Sequence, residues 1–259
     1  MPEPIWRPSL RAVTSGSPLV HCLTNIVVAG FTANALLALG ASPAMVENSE
    51  EAGPFAQMAG AVLINLGTLS PERESAMRAA AAAAHASSVP WVLDPVAVGA
   101  LEHRTNLARE LLAHRPAVIR GNASEVASLA GVTGAAGRGV DSRVGSEAAV
   151  EAAVELAVET GAVVAVSGAV DYVTDGKHVV AVPGGDVLMT RVTGVGCALG
   201  AVMAAILAVV GDPLAAARDA SAILAEAGER AASPPRPGPG TFAVRLLDAL
   251  DGLAQEASS

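Results

Sequence analysis

The chain has 259 residues, of which 52% are hydrophobic and only 2% aromatic, with a formal net charge of −9. That length and hydrophobicity exclude a disordered chain and allow a large core built mainly from Ala, Val and Leu. The acidic balance excludes a nucleic-acid scaffold, which needs clustered Lys and Arg, while leaving room for an anion site made of backbone amides.

The N-terminal residues, Met1 to Trp6, lack the basic and apolar regions of a signal peptide. Residues 18–25 read as a short apolar strand entering a polar turn at Asn25. Residues 26–39 read as a helix, with Gly40 as its stop. A second strand is expected over 42–45, followed by an acidic loop at Glu47, Glu50 and Glu51. Residues 61–66 form a continuous apolar run closed by Gly67, the pattern of a strand buried on both faces. Ser70, Pro71 and the acidic residues after them open an Ala-rich helix expected to end near Ala86.

Residues 90–94 read as a strand ending in Asp94, and 105–113 as a helix. The strand 116–120 leads into an exit loop over 121–125. Residues 137–145 form a glycine-rich surface loop, and Ser146 caps a long helix ending at Gly161. Residues 162–168 give a clear strand. Residues 171–174 and 178–182 form a hairpin through Asp175 and Gly176. An uncharged run follows Gly194. It spans roughly 18 residues, near the length of a membrane span, but it opens with glycines and has no basic cluster or aromatic belt at its ends. It reads as a buried helix. Helices over 213–232 and 241–253 complete the chain.

Strands alternating with helices define one α/β domain over 1–259, with a mostly parallel sheet. Ligands of such sheets bind at the carboxyl ends of the strands. Asp94, Arg120 with Glu125, Ser167 and the Gly194 loop all follow strands and are expected to meet there. Gly194 and Gly196 allow a tight turn at a helix N-terminus, where amides bind anions. The same helix field is expected to favour the thiolate of Cys197. The pair completes neither the dinucleotide fingerprint, which lacks its third glycine, nor a Walker A loop, which lacks its Lys. Asp94 and Glu125 read two ways: as holders of a hydrated Mg²⁺, or as capping and solvated-loop carboxylates. Arg120 and Ser167 read as phosphate or nucleotide contacts, or as structural residues. Cys22 and Cys197 exclude a disulfide framework and suit a reducing cytoplasm, with a single bridge between them as the alternative.

Several segments together resemble the hydroxyethylthiazole kinases, thiamine-salvage members of the ribokinase-like superfamily. They are His21 to Asn25, Phe31 to Asn34, Leu36 to Met45, Asn65 to Leu69, Leu93 to Gly99 and Ile119 to Glu125. Gly139 to Ser142, Ser167 with Gly168, Thr193 to Cys197 and Pro239 to Phe242 follow in order. The resemblance implies a three-layer α/β/α fold and transfer of the ATP γ-phosphoryl group to a thiazole alcohol, without nucleic-acid or membrane partners. It implies thiazole contacts at Met45 and Gly194, with Asn25 and Gly67 nearby. ATP contacts fall at Arg120, Ser167 and Gly196, and Mg²⁺ at Asp94 and Glu125. Cys197 stands where most of the superfamily carries an aspartate base. A homotrimer with active sites between subunits is also implied. Val195 departs from the small polar residue expected in the glycine loop, and Ser167 replaces a Thr while keeping the hydroxyl. The alternatives are another small-alcohol kinase, such as a hydroxymethylpyrimidine kinase, a dinucleotide-binding oxidoreductase, and a non-catalytic binding module.

Overall fold

The computed structural model describes residues 3–132 and 149–259. The expected loop over 137–145, the 139–142 segment and the Ser146 cap lie outside the described residues. The first half contains α1 (Arg7–Gly16), β1 (Leu19–Leu23), α2 (Ala29–Ala38), β2 (Ser42–Ala44), α3 (Ser49–Met58), β3 (Ala61–Asn65), α4 (Pro71–Ala86), β4 (Trp91–Asp94) and α5 (Glu102–Leu112). Next come β5 (Val118–Asn122), α6 (Ala123–Leu129), α7 (Val150–Thr160), β6 (Val163–Ser167), β7 (Val170–Thr174) and β8 (Val179–Pro183). The chain closes with α8 (Val195–Val210), α9 (Pro213–Ala231) and α10 (Pro239–Ser258).

The strands form one sheet in the order β2-β1-β3-β4-β5-β6-β7-β8. Strands β1 to β6 pair in parallel, while the β6–β7 and β7–β8 pairings are antiparallel. One face is covered by α1, α2, α8, α9 and α10, and the other by α3 to α7. Successive strand residues serve opposite faces: Leu63 joins the α8 side, and Val62 and Ile64 the α3–α4 side. Covering both faces explains why β3 is buried along its whole length and apolar up to Asn65. Each fully buried Leu, Ile or Met contributes about 1.5–3 kcal/mol.

Helix α8 is the central packing element, touching β1, β3, β4, α1, α2 and α9. It is buried between layers, and among the described residues no helix is long and apolar enough to cross a membrane. Both cysteines are free thiols, so the bridge is absent.

Four local expectations are corrected. Residues 26–39 are not one helix: Ile26–Val28 form a 3-10 turn capped by the Asn25 side chain, and Val28, at φ −129°, breaks it from α2. The acidic segment is loop only at Glu47. The Asn48 side chain accepts from Glu50 N at 2.8 Å and starts α3, whose first turn holds Glu50 and Glu51 where the helix field favours carboxylates. Residues 121–125 are not an exit loop, because Gly121 and Asn122 pair with Val166 and Ser167 of β6. Asn122 and Glu125 then form a capping box that opens α6 directly from the strand. Finally, α10 opens at Pro239, in a first-turn position that suits proline, and runs on to Ser258. Helix α1 is an additional element, tied to α9 by the Ser9–Asp219 hydrogen bond.

Candidate active site

The carboxyl ends of β3 to β6 carry most of the expected polar residues. Asp94, the last residue of β4, is fully buried and pairs in register with Asn65, the last residue of β3. Asn65 Nδ2 donates to Asp94 Oδ2 at 2.5 Å, and Asn65 Oδ1 accepts from Gly67 N at 2.9 Å. Arg120 lies within β5, and Ser167 ends β6 on the adjacent strand. Arg120 donates from Nε and Nη2 to Ser167 Oγ at 3.1 and 2.9 Å. Its Nη1 stands 3.7 Å from Asp94 Oδ1. These residues do meet, held by the strands themselves and not by the loops after them.

The α8 N-terminus closes on this group. Gly194 takes φ +96° as a cap without a side-chain hydrogen bond, so the first-turn amides are left to a ligand. A β-carbon on Gly194 would stand 2.7 Å from Val28 Cγ1, and one on Gly196 would stand 2.7 Å from Arg120 Nη1. The positive φ and the close approach of Val28 require glycine at 194, whereas an added carbon at 196 would meet only the far end of the Arg120 side chain. Val195 turns its side chain into the core, at 6% exposure, which explains why a polar residue is dispensable there. Arg120, Ser167, Val195 and Gly196 bound one end of a cavity of about 550 Å³, which runs on toward Asp171, Val187 and Leu224. That volume suits a nucleotide-sized ligand.

Electrostatics sharpen the roles. Burial pushes the Asp94 carboxyl up to about 7, with Arg120 and the Asn65 hydrogen bond opposing and Glu125 adding to the rise. Its Oδ1 is buried without a hydrogen-bond partner. Burial lowers the Arg120 pKa, but the neighbouring carboxylates, Asp94 and Glu125 foremost, outweigh that effect and raise it. Glu125 is committed to backbone: Oε1 accepts from Ala97 N and Oε2 from Asn122 N, both at 2.9 Å. The capping reading of Glu125 is the one observed: it closes the capping box of α6 and adds to the rise at Asp94.

The residues fit a hydrated Mg²⁺ but not a fully protein-held ion. The orphaned Asp94 Oδ1 offers one anionic ligand, and Glu125 has lone pairs for a bridging water. Among the described residues no cluster of three or more His, Cys, Asp or Glu could hold a metal. Mg²⁺ usually completes its shell with water and substrate phosphates.

The expectation for Cys197 is reversed. Burial first, then the charge of Asp94, push its thiol up to about 12, although Arg120 and an Asn65 hydrogen bond act the other way. The helix field does not overcome desolvation, and the thiol is neutral at physiological pH.

Of the expected thiazole contacts, Met45, Asn25 and Gly67 do not line the 550 Å³ cavity, and Gly194 directly precedes its lining residues Val195 and Gly196. Asn25 and Gly67 touch: a β-carbon on Gly67 would stand 2.6 Å from Asn25 Nδ2. Asn25 Oδ1 accepts from Thr68 Oγ1 at 2.8 Å and from Val27 N at 3.1 Å. Met45 follows β2, partly buried against the core. Ile26 and Val27, beside Asn25, are 64% and 71% exposed.

Sequence reasoning missed three residues. Asn65 is a polar residue closing an otherwise apolar strand, a signal that could have found it. Asp171, which accepts from Gly168 N at 3.0 Å and lines the cavity, was read only as the start of a hairpin. Burial raises its pKa. Arg73, in the first turn of α4, donates from Nε to Thr68 O at 3.0 Å, a contact the helix pattern does not report.

A mostly parallel sheet between two helical layers, with a cavity at its carboxyl edge, is a ribokinase-like fold. A ribokinase-like superfamily protein from Enterococcus faecalis matches with a TM-score of 0.67 over 96% of this chain and 95% of that one; at 13% identity, this likeness shows the fold alone. The sequence model of the hydroxyethylthiazole kinase family matches residues 10–256. A hydroxyethylthiazole kinase of Leptospira borgpetersenii is 55% identical over 240 residues, 93% of this chain and 90% of that protein. The structure of a hydroxyethylthiazole kinase protein from Pyrococcus horikoshii matches with a TM-score of 0.86 at 40% identity, covering 95% and 92% of the two chains. The chain belongs to the hydroxyethylthiazole kinase family, and the dinucleotide-oxidoreductase and binding-module readings fall away.

Proposed function

We propose that this enzyme, a single kinase domain, transfers the γ-phosphoryl group of ATP to the hydroxyl of 4-methyl-5-(2-hydroxyethyl)thiazole in thiamine salvage. The observation that carries this reading is the uncapped N-terminus of α8 beside Arg120 and the orphaned Asp94 oxygen. Phosphoryl transfer depends on positioning and charge stabilisation, and these groups supply both.

ATP occupies the 550 Å³ cavity, with its phosphates toward Arg120, Ser167, Gly196 and the α8 amides. Arg120 leaves or shares the Ser167 hydroxyl to meet phosphate oxygens, a geometry that its planar fork suits. Asp94 and, through water, Glu125 would hold Mg²⁺, which would supply positive charge to offset that of the phosphates. The thiazole lies against Gly194, Asn25, Gly67 and Met45, and Asn25 meets it through Nδ2 because its Oδ1 is spent internally. Cys197 lines the acceptor hydroxyl as a neutral positioning group. In a loose transition state the hydroxyl proton departs late, so a strong base is not required.

The exposure of Ile26 and Val27 beside Asn25 supports a homotrimer in which a neighbouring subunit completes the thiazole half. Free thiols support a reducing, cytoplasmic location. The test is ADP release with Mg-ATP and a panel of alcohols. Turnover highest with the thiazole alcohol supports the reading; turnover with hydroxymethylpyrimidine alone overturns it.

A further inference from the structure

Arg73 sits in the first turn of α4, where Ser70 Oγ accepts from its own backbone N–H at 3.3 Å. A cation there opposes the helix field, so its placement needs another cause. Its side chain, 11% exposed, turns away from α4 into three separate loops. Nε donates to Thr68 O at 3.0 Å, Nη1 donates to Glu47 Oε2 at 2.5 Å, and Nη2 donates to Thr24 O. Thr24 follows β1, Glu47 follows β2 and Thr68 follows β3. Each acceptor lies within two residues of an expected thiazole contact: Thr24 beside Asn25, Glu47 beyond Met45, and Thr68 beside Gly67. Thr68 adds its own link, donating from Oγ1 to Asn25 Oδ1 at 2.8 Å and accepting from Ile26 N at 3.3 Å.

We infer that Arg73 is a positioning residue that clamps the three loops of the thiazole half-site into register, acting on acceptor-alcohol recognition and not on ATP. This rests on the proposed placement of the thiazole. Three acceptors in three directions match the planar guanidinium, and one ammonium cannot reach all of them. The Glu47 carboxylate makes one of the bonds a charge-assisted pair at low exposure, where it is stronger than a surface ion pair. Arg120 and the α8 N-terminus receive nothing from Arg73, so the ATP half keeps its geometry when the clamp is removed.

The test compares wild type, Arg73→Met, Arg73→Ala and Asn25→Ala in steady-state kinetics with each substrate varied. Loosening a substrate-positioning loop commonly costs about tenfold or more, and Arg73→Met is expected to raise the KM for the thiazole alcohol by that factor while the KM for Mg-ATP stays within about twofold. Added guanidinium ion is expected to lower the raised KM of Arg73→Ala, whereas urea, its uncharged isostere, is not. An unchanged thiazole KM in Arg73→Met, or equal rises in both KM values without guanidinium rescue, overturns the clamp. If Asn25→Ala also leaves the thiazole KM unchanged, the placement of the thiazole fails and the clamp fails with it. If Asn25→Ala raises it and Arg73→Met does not, only the clamp fails.

Discussion

Asn65 and Asp94 face each other across adjacent parallel strands, and Asn65 Nδ2 donates to Asp94 Oδ2 at 2.5 Å. The amide occupies one carboxylate oxygen and leaves Oδ1 toward Arg120. Asn65 Oδ1 at the same time fixes Gly67 N. One side chain therefore links the carboxylate proposed to hold Mg²⁺ to the loop proposed to meet the thiazole. Replacing it with Leu leaves both Asp94 oxygens without a hydrogen-bond donor. Asn65→Leu is expected to cost about 1–3 kcal/mol in urea unfolding, with a fall in kcat. Asn65→Asp should be worse in both readouts, because it sets a second carboxylate against the first. Wild-type kcat in Asn65→Leu would contradict this.

The raised Asp94 carboxyl makes stability depend on pH in a definite direction. The unfolded chain ionises this group near 3.8, whereas burial keeps it protonated in the folded protein up to about 7. Between those values the folded state holds more protons than the unfolded state, so stability is full at low pH and falls as pH rises. The expected slope is about 1 kcal/mol per pH unit between pH 5 and 7. Thermal melts of metal-free wild type and Asp94→Asn check it: the difference between them should shift in favour of Asp94→Asn with rising pH. Mg²⁺ with ATP should stabilise wild type more at pH 8 than at pH 5. Parallel melting profiles for the two proteins would sink the assignment.

Cys197 is held neutral by burial and by Asp94, so it contributes little as a base. Cys197→Ala should retain measurable turnover, within about 10²-fold of wild type, the lower bound of a general-base contribution. Cys197→Asp should also remain active. Iodoacetamide should label the native thiol far more slowly than free glutathione at pH 8. Rapid labelling, or complete loss of turnover in both variants with Mg-ATP still bound, would contradict a positioning role.

Gly196→Ala separates fold from site. The added methyl meets the far end of Arg120, at 2.7 Å from Nη1, and not backbone. The side chain can yield, and Ala gains up to about 1 kcal/mol of helix propensity, so the thermal midpoint should barely change. Yielding moves the guanidinium from Ser167, and the KM for ATP should rise while the thiazole KM stays near wild type. An unchanged KM for ATP would show that Arg120 does not face the nucleotide.

Much of the fold was legible because both faces of the sheet are covered. The runs 61–64 and 162–166 show continuous apolarity, and the sheet places both in the interior. Boundaries failed where a polar side chain redirects the backbone locally. Asn25 makes a 3-10 turn, Asn48 starts a helix, and Asn122 joins strand to helix with no loop. Such caps depend on the φ/ψ of one residue, which periodicity does not report. The convergence of Asp94, Arg120, Ser167 and the α8 N-terminus was legible because, in the sequence pattern, each follows or ends a strand of a mostly parallel sheet. Arg73 and Asn65 escaped notice because their partners are distant in sequence, 49 residues away for Thr24 and 29 for Asp94.

The central claim is Mg²⁺-dependent phosphoryl transfer to the thiazole alcohol. Phosphorus NMR of purified enzyme with ATP and 4-methyl-5-(2-hydroxyethyl)thiazole, in parallel with Mg²⁺ and with a chelator, tests it most directly. A new phosphate-monoester signal is expected to grow in step with ADP in the Mg²⁺ sample, and none in the chelated one. ATP left intact in both samples, or ADP formed with inorganic phosphate and no phosphorylated thiazole, would contradict it.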